Sequence, residues 1–378
     1  MRPMLKPALS RAWRDQQTLQ FGTAPERAQV VAQADERFCA FLTLLDGERG
    51  VPAVTAAAEQ LGLASEYVTQ ALHSLEQTGL LEDASAVEQA LAGIPPSRRA
   101  LLAPDLASLS LLSPEPGAGA GTLARRTALR VEVRGAGRVG AAVAATLAAG
   151  GVGTVEVVDQ GRVLAGDCAP GGIPAADVGR PRGTAAREAV RRAAGLPPAG
   201  SGTPDKSTAD CGRAGSGTPD IDEARATPGR PPDLVVLAPR DGSGAFAGSA
   251  VEARGLMRSG VPHLYVGVVE HLGVVGPLVL PGASACGGCV ALTRTDRDAA
   301  WPRLLAQLAT EGPGRAREPA CDGALASAVA GLAGLHALLL LDGVRPPSVD
   351  GWCEVSAVDG MVRRLRLPPH TECGCYWR

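Results

Sequence analysis

The fold turns on Leu129-Arg130-Val131-Glu132-Val133-Arg134-Gly135-Ala136-Gly137-Arg138-Val139-Gly140. Residues 129–133 alternate apolar and polar as a strand does, a Gly-x-Gly-x-x-Gly loop follows at once, and an alanine-rich helix runs on to Ala149. Thr154-Val155-Glu156-Val157-Val158 reads as a second strand ending at Asp159, roughly 20 residues past the last glycine. Each part has a physical task. Glycines let the backbone approach a phosphate, a helix N-terminus offers free N–H groups and a positive dipole end, and an acid at the strand end can bond ribose hydroxyls. Strand, loop, helix, strand and acid in this order predict an α/β, Rossmann-like domain with Gly135, Gly137, Gly140 and Asp159 as candidate cofactor-binding residues.

Composition bounds the rest. The chain has 378 residues, 45% hydrophobic and 20% charged, enough for large buried cores and more than one domain. Its formal net charge is -2, and all but two (Lys6, Lys206) of its 37 basic residues are arginine. A near-neutral chain is a poor general binder of nucleic acid or membrane surfaces. The first residues, Met1 to Pro7, lack the apolar core of a signal peptide, and the apolar run Val329–Leu341 falls short of the roughly 20 residues that span a bilayer. A cytoplasmic protein with no membrane and no nucleic-acid partner is expected. Three composition breaks divide it: Ser113–Gly121, Leu196–Asp233 with its repeated GSGTPD at 200–205 and 215–220, and Glu311–Glu318. The first reads as a flexible linker and the second as a disordered insertion.

Ahead of the linker, Thr18–Gly22 and Arg27–Gln33 predict a hairpin. Phe38, Phe41, Leu42 and Leu45 follow at helical spacing, then a helix after Pro52 and a third with Ser65 as N-cap and Val68, Leu72 and Leu75 inward. Leu80-Leu81-Glu82 closes it as a wing, giving a winged-helix-like α+β arrangement. The third helix, where a DNA reader carries Arg or Lys, has neither and holds two Glu, which argues against DNA.

Nine cysteines in a reducing compartment point to metal or thiol chemistry before disulfides. Cys286-Gly287-Gly288-Cys289 and Cys373-Gly374-Cys375 are two thiolate pairs of the kind that suits a closed tetrahedral zinc site, with His370 as an alternative to one cysteine. Cys168 lies near the crevice with no histidine close in sequence. The helix Ala324–Leu341, carrying His336, is apolar nearly all round and is expected in the core or a subunit interface.

Several stretches resemble the ThiF/MoeB (ubiquitin-activating-enzyme-like) superfamily: Ala149–Asp159 its second-strand motif, Asp177-Val178-Gly179-Arg180-Pro181-Arg182 its Asp-Ile-Gly-Lys-Pro-Lys segment, Asp233–Leu237 its fourth strand, and Val261 through Gly282 the strand and hairpin before the zinc ligands. The resemblance implies a ThiF-type domain over 125–378, interrupted by the insertion 196–232, with a C-terminal zinc site at Cys286, Cys289, Cys373 and Cys375. It also implies an ATP crevice in which Arg182 holds the family's lysine position, and a homodimer. The departures weigh against adenylation. The family's Asn-Leu-x-Arg-Gln reads Asp167-Cys168-Ala169-Pro170-Gly171, so its arginine position is Pro170. Its magnesium-binding aspartate falls on Arg240, with Asp241 beside it, and a guanidinium there repels a metal.

Residues 1–90 resemble the PqqD-like recognition element of ribosomal-peptide modification systems, in the hairpin, the Leu44-Leu45-Asp46-Gly47 helix exit and the Gly79-Leu80-Leu81 close. That resemblance implies a leader peptide added as a strand to the hairpin edge and lying on the third helix, with Val30, Val31, Tyr67, Gln70, Ala71 and Ser74 as its contacts. With 91–124 as linker, the whole resembles the leader-peptide-binding partner proteins of azoline-forming (TOMM) biosynthesis. The implied function is a presenter that delivers a precursor to a YcaO-type cyclodehydratase. The rival is an ATP-dependent ThiF-type adenylyltransferase acting on a peptide or carrier-protein C-terminus.

Overall fold

A computed structural model describes residues 1–197, 230–240, 250–310 and 320–375. The chain forms two compact units, Met1–Arg126 and Thr127–Arg378. Most of the insertion read at 196–232, the break at 311–318, Cys211 and Asp241 lie outside the described residues.

The first unit holds five short strands and six helices. β2 (Arg11–Trp13), β3 (Leu19–Phe21) and β4 (Gln29–Val31) form an antiparallel sheet in that order, so the expected hairpin is β3–β4. Helices α1 (Glu36–Thr43), α2 (Val51–Gln60) and α3 (Ser65–Gln77) follow. Asp35 caps α1 by accepting the Phe38 N–H, and Phe38, Phe41 and Leu42 turn inward to meet Leu19, Phe21, Val54, Val68 and Leu72 in one core. Ser65 is the first residue of α3, not its cap; Ala64 holds that position with no side-chain bond. The wing β5 (Leu81–Asp83) pairs with β1 (Pro3–Leu5), a strand too short to show a period in the sequence.

Residues 91–124 are not a linker. α4 (Ala84–Leu91) leads into α5 (Pro96–Leu112) and α6 (Ala118–Arg126), which pack around Leu91, Ile94, Leu102, Leu109, Ala120 and Leu123. Two buried charges order the Pro/Gly-rich turn between α5 and α6. The Lys6 ammonium donates to the Ser113 carbonyl at 2.5 Å. The Glu82 carboxylate accepts the Ser110 hydroxyl and the Gly117 N–H. Burial pushes the Lys6 pKa down, and Glu82 opposes it. The glycines that suggested flexibility serve close packing: a Cβ on Gly119 would stand 2.7 Å from the Ser110 backbone nitrogen.

The second unit is built on a seven-stranded sheet in the order β12-β11-β10-β9-β8-β6-β7. β6 (Arg130–Arg134), β7 (Thr154–Val158), β8 (Leu234–Leu237) and β9 (His263–Val269) run parallel; β10 (Leu272–Val279), β11 (Gly351–Ser356) and β12 (Val362–Arg366) complete it antiparallel. α7 (Gly140–Ala149) and α8 (Arg182–Ala193) form the β6–β7 crossover and the segment that follows β7. α9 (Ala250–Ser259) precedes β9, and α10 (Gly287–Arg297) and α11 (Trp301–Thr310) follow β10. α12 (Gly323–Leu341) has 19 residues, longer than its apolar run because Gly323–Ala328 extend it, and by length and composition it could cross a membrane. Its buried face, including Leu325, Val329, Ala333 and Ala337, instead fills the core beside Val131, Val143, Leu264 and Val275. His336 is buried there, and burial pushes its pKa down.

Helix propensity alone favours leucine over glycine by roughly 1 kcal/mol in a helix such as α6. The contact with Ser110 leaves no space for it, so Gly119→Leu is expected to lower stability by about 2–3 kcal/mol in a urea titration. An unchanged or higher midpoint would mean that α5 and α6 do not pack.

Candidate functional site

Strand order reverses between β6 and β8, and in doubly wound sheets the carboxyl ends at such a point face the ligand crevice. The glycine turn lies there, and its glycines answer to packing first. Gly135 has a φ of 100°, and a Cβ on it would stand 2.0 Å from the Ala238 carbonyl oxygen; one on Gly140 would stand 2.0 Å from the Gly135 carbonyl oxygen. Gly137 faces the Arg240 side chain.

The charged groups of the crevice bind one another. One Asp159 oxygen accepts the Ala136 N–H at 2.7 Å, and the other is held by Arg182 at 2.9 Å. Asp167, 2% exposed, accepts Arg240 Nε at 2.6 Å, Leu164 N–H at 2.8 Å and Arg182 Nη1 at 3.1 Å. Burial works against its charge, but the Leu164 N–H and the two guanidinium groups together hold its pKa below the ordinary carboxylate value. Arg138 donates to the Cys321 carbonyl at 2.6 Å. The void left among Gly137–Gly140, Asp167 and Ala238–Arg240 is about 30 Å³, room for roughly one water. Both crevice carboxylates are thus engaged by guanidinium groups, Asp159 by Arg182 and Asp167 by Arg182 and Arg240. Beside it, Cys168–Ala175 and the end of α8 line an open groove of about 710 Å³, whose ionisable side chains among the described residues are Arg192 and the half-buried Cys168 thiol. The missed residue is Asp167. Its partners are 15 and 73 residues away, and no local pattern announces them.

The four cysteines converge. Cys286 precedes α10, Cys289 lies in its first turn, and the C-terminal segment brings up Cys373 and Cys375. Their Sγ atoms lie within 4.8 Å of one another, with Cys286–Cys373 and Cys289–Cys375 at 3.5 Å and Cys286–Cys289 at 4.0 Å. Four sulfurs on a tetrahedron of 2.3 Å Zn–S bonds stand about 3.8 Å apart, whereas a disulfide needs about 2.05 Å. The donor set can hold a metal ion. The Cys286 thiol and the His370 backbone N–H both donate to Cys289, and despite burial these bonds favour its thiolate. The His370 ring is engaged elsewhere: Nδ1 accepts the Glu372 N–H and Nε2 faces Asp296 at 2.8 Å. That leaves it no lone pair for a metal.

In the first unit, β4 pairs only with β3 among the described residues. Ser10 O accepts Gly22 N–H and Arg14 N–H donates to Thr18 O, so Gln20 bonds toward β2 and, by alternation, the backbone of its partner Val30 points outward. Val30 is half exposed, while Val31 and Ala71 both pack on the same core, which places the β4 edge near the α3 face. Tyr67, Gln70 and Ser74 are exposed on α3. Partial burial, and secondarily the charge of Asp35 just past β4, raise the Tyr67 pKa.

Residues 115–195 match the model of the ThiF family. In structure the chain is similar to E. coli MccB solved with AMPCPP and MccA, at a TM-score of 0.66 and 13% identity, covering 100% of this chain and 99% of that one. The microcin C7 biosynthetic enzyme MccB in complex with N-formylated MccA gives 0.64 and 13%, covering 99% of each. PaaA gives 0.63 and 15%, covering 96% of this chain and 99% of that one. At these identities the likeness establishes a shared ThiF-type fold. No curated protein matches the sequence.

Purified protein is expected to carry one zinc per chain by elemental analysis. Cys289→Ser or Cys373→Ser should lose it, and His370→Ala should keep it; loss in the histidine variant would overturn the four-sulfur assignment. Because the Asp167 pKa is lower folded than unfolded, its contribution to stability is full above the unfolded value and disappears as pH falls through the folded one. Asp167→Ala leaves two guanidinium groups facing each other and should cost about 3 kcal/mol at neutral pH, less in acid.

Proposed function

We propose that the protein binds the leader of a ribosomally made precursor peptide and presents it for modification, as a partner protein in azole/azoline (TOMM) biosynthesis. The observation that carries this reading is the open β4 edge beside the exposed face of α3. An extended peptide added there would bond the outward N–H and C=O of Val30 and rest against Tyr67, Gln70, Ala71 and Ser74, with Val31 beneath. Residues 1–90 would then act as the PqqD-like recognition element. MccB, which shares the fold along its whole length, has been solved with the peptide MccA, and this supports a peptide partner here.

The crevice argues for presentation over catalysis. Adenylation requires cations and a metal to neutralise a triphosphate. Here the Arg182 and Arg240 guanidinium groups are spent on Asp159 and Asp167, and Pro170 offers no charge. The chemistry is therefore assigned to a separate ATP-using cyclodehydratase of the YcaO type. Zinc at the four cysteines would fasten the C-terminal segment to α10 and do no chemistry. Homodimerisation and a cytoplasmic location complete the proposal. The second reading, a ThiF-type adenylyltransferase, is favoured by one observation: MccB of the same fold is solved with ATP. It requires Arg240 to leave Asp167.

Two measurements separate the readings. A fluorescent leader peptide from a precursor encoded beside the gene should bind with saturation. Val30→Pro, which deletes an outward N–H, and Tyr67→Ala should each raise Kd about tenfold. Magnesium-ATP should give no heat by calorimetry and no pyrophosphate exchange. Tight magnesium-dependent nucleotide binding would put the adenylyltransferase first.

A further inference from the structure

The unit Met1–Arg126 has a second open edge, on the far side of its small sheet. β2 pairs only with β3 among the described residues, and all three of its residues are exposed, with Trp13 at 52%. The bonds at Ser10 and Arg14 direct those residues, and Ala12 between them, toward β3. By alternation, the N–H and C=O groups of Arg11 and Trp13 point away from the sheet. Their side chains lie on the face shared with their partners Phe21 and Leu19, the buried face.

Beneath this edge is a cavity of about 440 Å³ with an apolar floor that includes Leu5, Phe21, Leu42 and Leu45. Its size falls within the range of about 300–1,000 Å³ typical of ligand pockets. Three charged side chains line it, and two are already committed. The Lys6 ammonium is bound to the Ser113 carbonyl, and Asp46 is paired with Arg49. Arg11 has no hydrogen-bond or ion-pair partner among the described residues. The free charge at the mouth is therefore positive. An open strand edge, a cavity below its inward face and an unspent guanidinium on that same face together specify a ligand.

We propose that β2 takes an extended peptide segment as an added strand, with one large apolar side chain in the cavity and a carboxylate on Arg11. Side chains of a strand alternate between faces, so the two recognised residues stand at i and i+2. The class of ligand is an extended segment in which a Phe or Leu is followed two residues later by Glu or Asp. Backbone bonds to Arg11 and Trp13 supply register, the cavity supplies most of the affinity, and the exposed ion pair contributes modestly. This site stands apart from the β4 edge and does not rest on the presenter reading.

The test uses the full-length protein and a fluorescein-labelled pentapeptide, Thr-Phe-Thr-Glu-Thr, followed by anisotropy. Saturable binding is expected, at least tenfold weaker when Phe becomes Ala and weaker again when Phe and Glu are made adjacent, which sends Glu to the opposite face. Thr43→Trp, which plugs the mouth from an exposed position, should weaken binding at least tenfold, and Arg11→Glu about threefold. Both should leave the melting temperature unchanged; should Thr43→Trp fail to fold, the Arg11→Glu result and the peptide series decide. Absence of saturable binding, or indifference to the protein variants and to the peptide changes, overturns the site. Binding abolished by Val30→Pro but unaffected by Arg11→Glu and Thr43→Trp assigns the peptide to the β4 edge and overturns it too. Failure of the unsubstituted protein to bind the leader, with pentapeptide binding intact, overturns the presenter reading alone.

Discussion

The turn from β6 into α7 has no room for a side chain at either end, and the second unit is organised around that constraint. The Ala238 carbonyl sits where a Cβ of residue 135 would be, and the Gly135 carbonyl where one of residue 140 would be. This contact closes the end of β8 against the turn, so the two strands flanking the point of reversed order are brought together by missing atoms. Asp159 then fixes the turn through the Ala136 N–H, and Arg182 fixes Asp159. Asp167 and Arg240 extend the same chain of charges across the crevice. A buried carboxylate between two guanidinium groups is stable only while all members stay, because loss of one leaves an uncompensated charge.

The first unit solves a comparable problem with different means. Its strands have three residues each and cannot hold a fold by pairing alone. A shared core of Phe, Leu and Val from α1, α2, α3 and the sheet does most of that work. Lys6 and Glu82 tie β1 and β5 to the turn between α5 and α6, so helices that composition assigned to a linker belong to the unit.

What the sequence made legible follows the range of the forces involved. The β6–α7–β7 unit was readable because a strand period, a glycine loop and an acid lie within about 30 residues. The hairpin β3–β4 and helices α1–α3 were readable from apolar spacing. The four cysteines were readable because soft ligands in close pairs have few other uses, although only the structure shows the His370 ring turned to Asp296. β1 and β2 were not read: β1 pairs with β5, far along the chain, and β2 has no buried side chain to mark it. The order of 91–124 was missed because glycine reports equally on flexibility and on close helix packing; here Gly119 meets the Ser110 backbone. Asp167 was missed because its meaning lies in Arg240, 73 residues on.

The glycine fingerprint therefore testifies to packing before it testifies to occupancy. Gly135 and Gly140 would be required in this fold with no nucleotide present, since it is backbone of the same unit that excludes their side chains. Selection for a bound phosphate and selection for a closed β6–α7 turn leave the same letters in the sequence. The charges discriminate where the glycines cannot. A triphosphate and its metal need cations and carboxylates to bind, and in this crevice Arg182 and Arg240 are paired with Asp159 and Asp167. A domain of this kind can keep its shape with no ligand bound, because the close contacts at Gly135 and Gly140 and the pairs among Asp159, Asp167, Arg182 and Arg240 are all internal to it. Such separability is what allows one fold to carry either a reaction or only a binding surface.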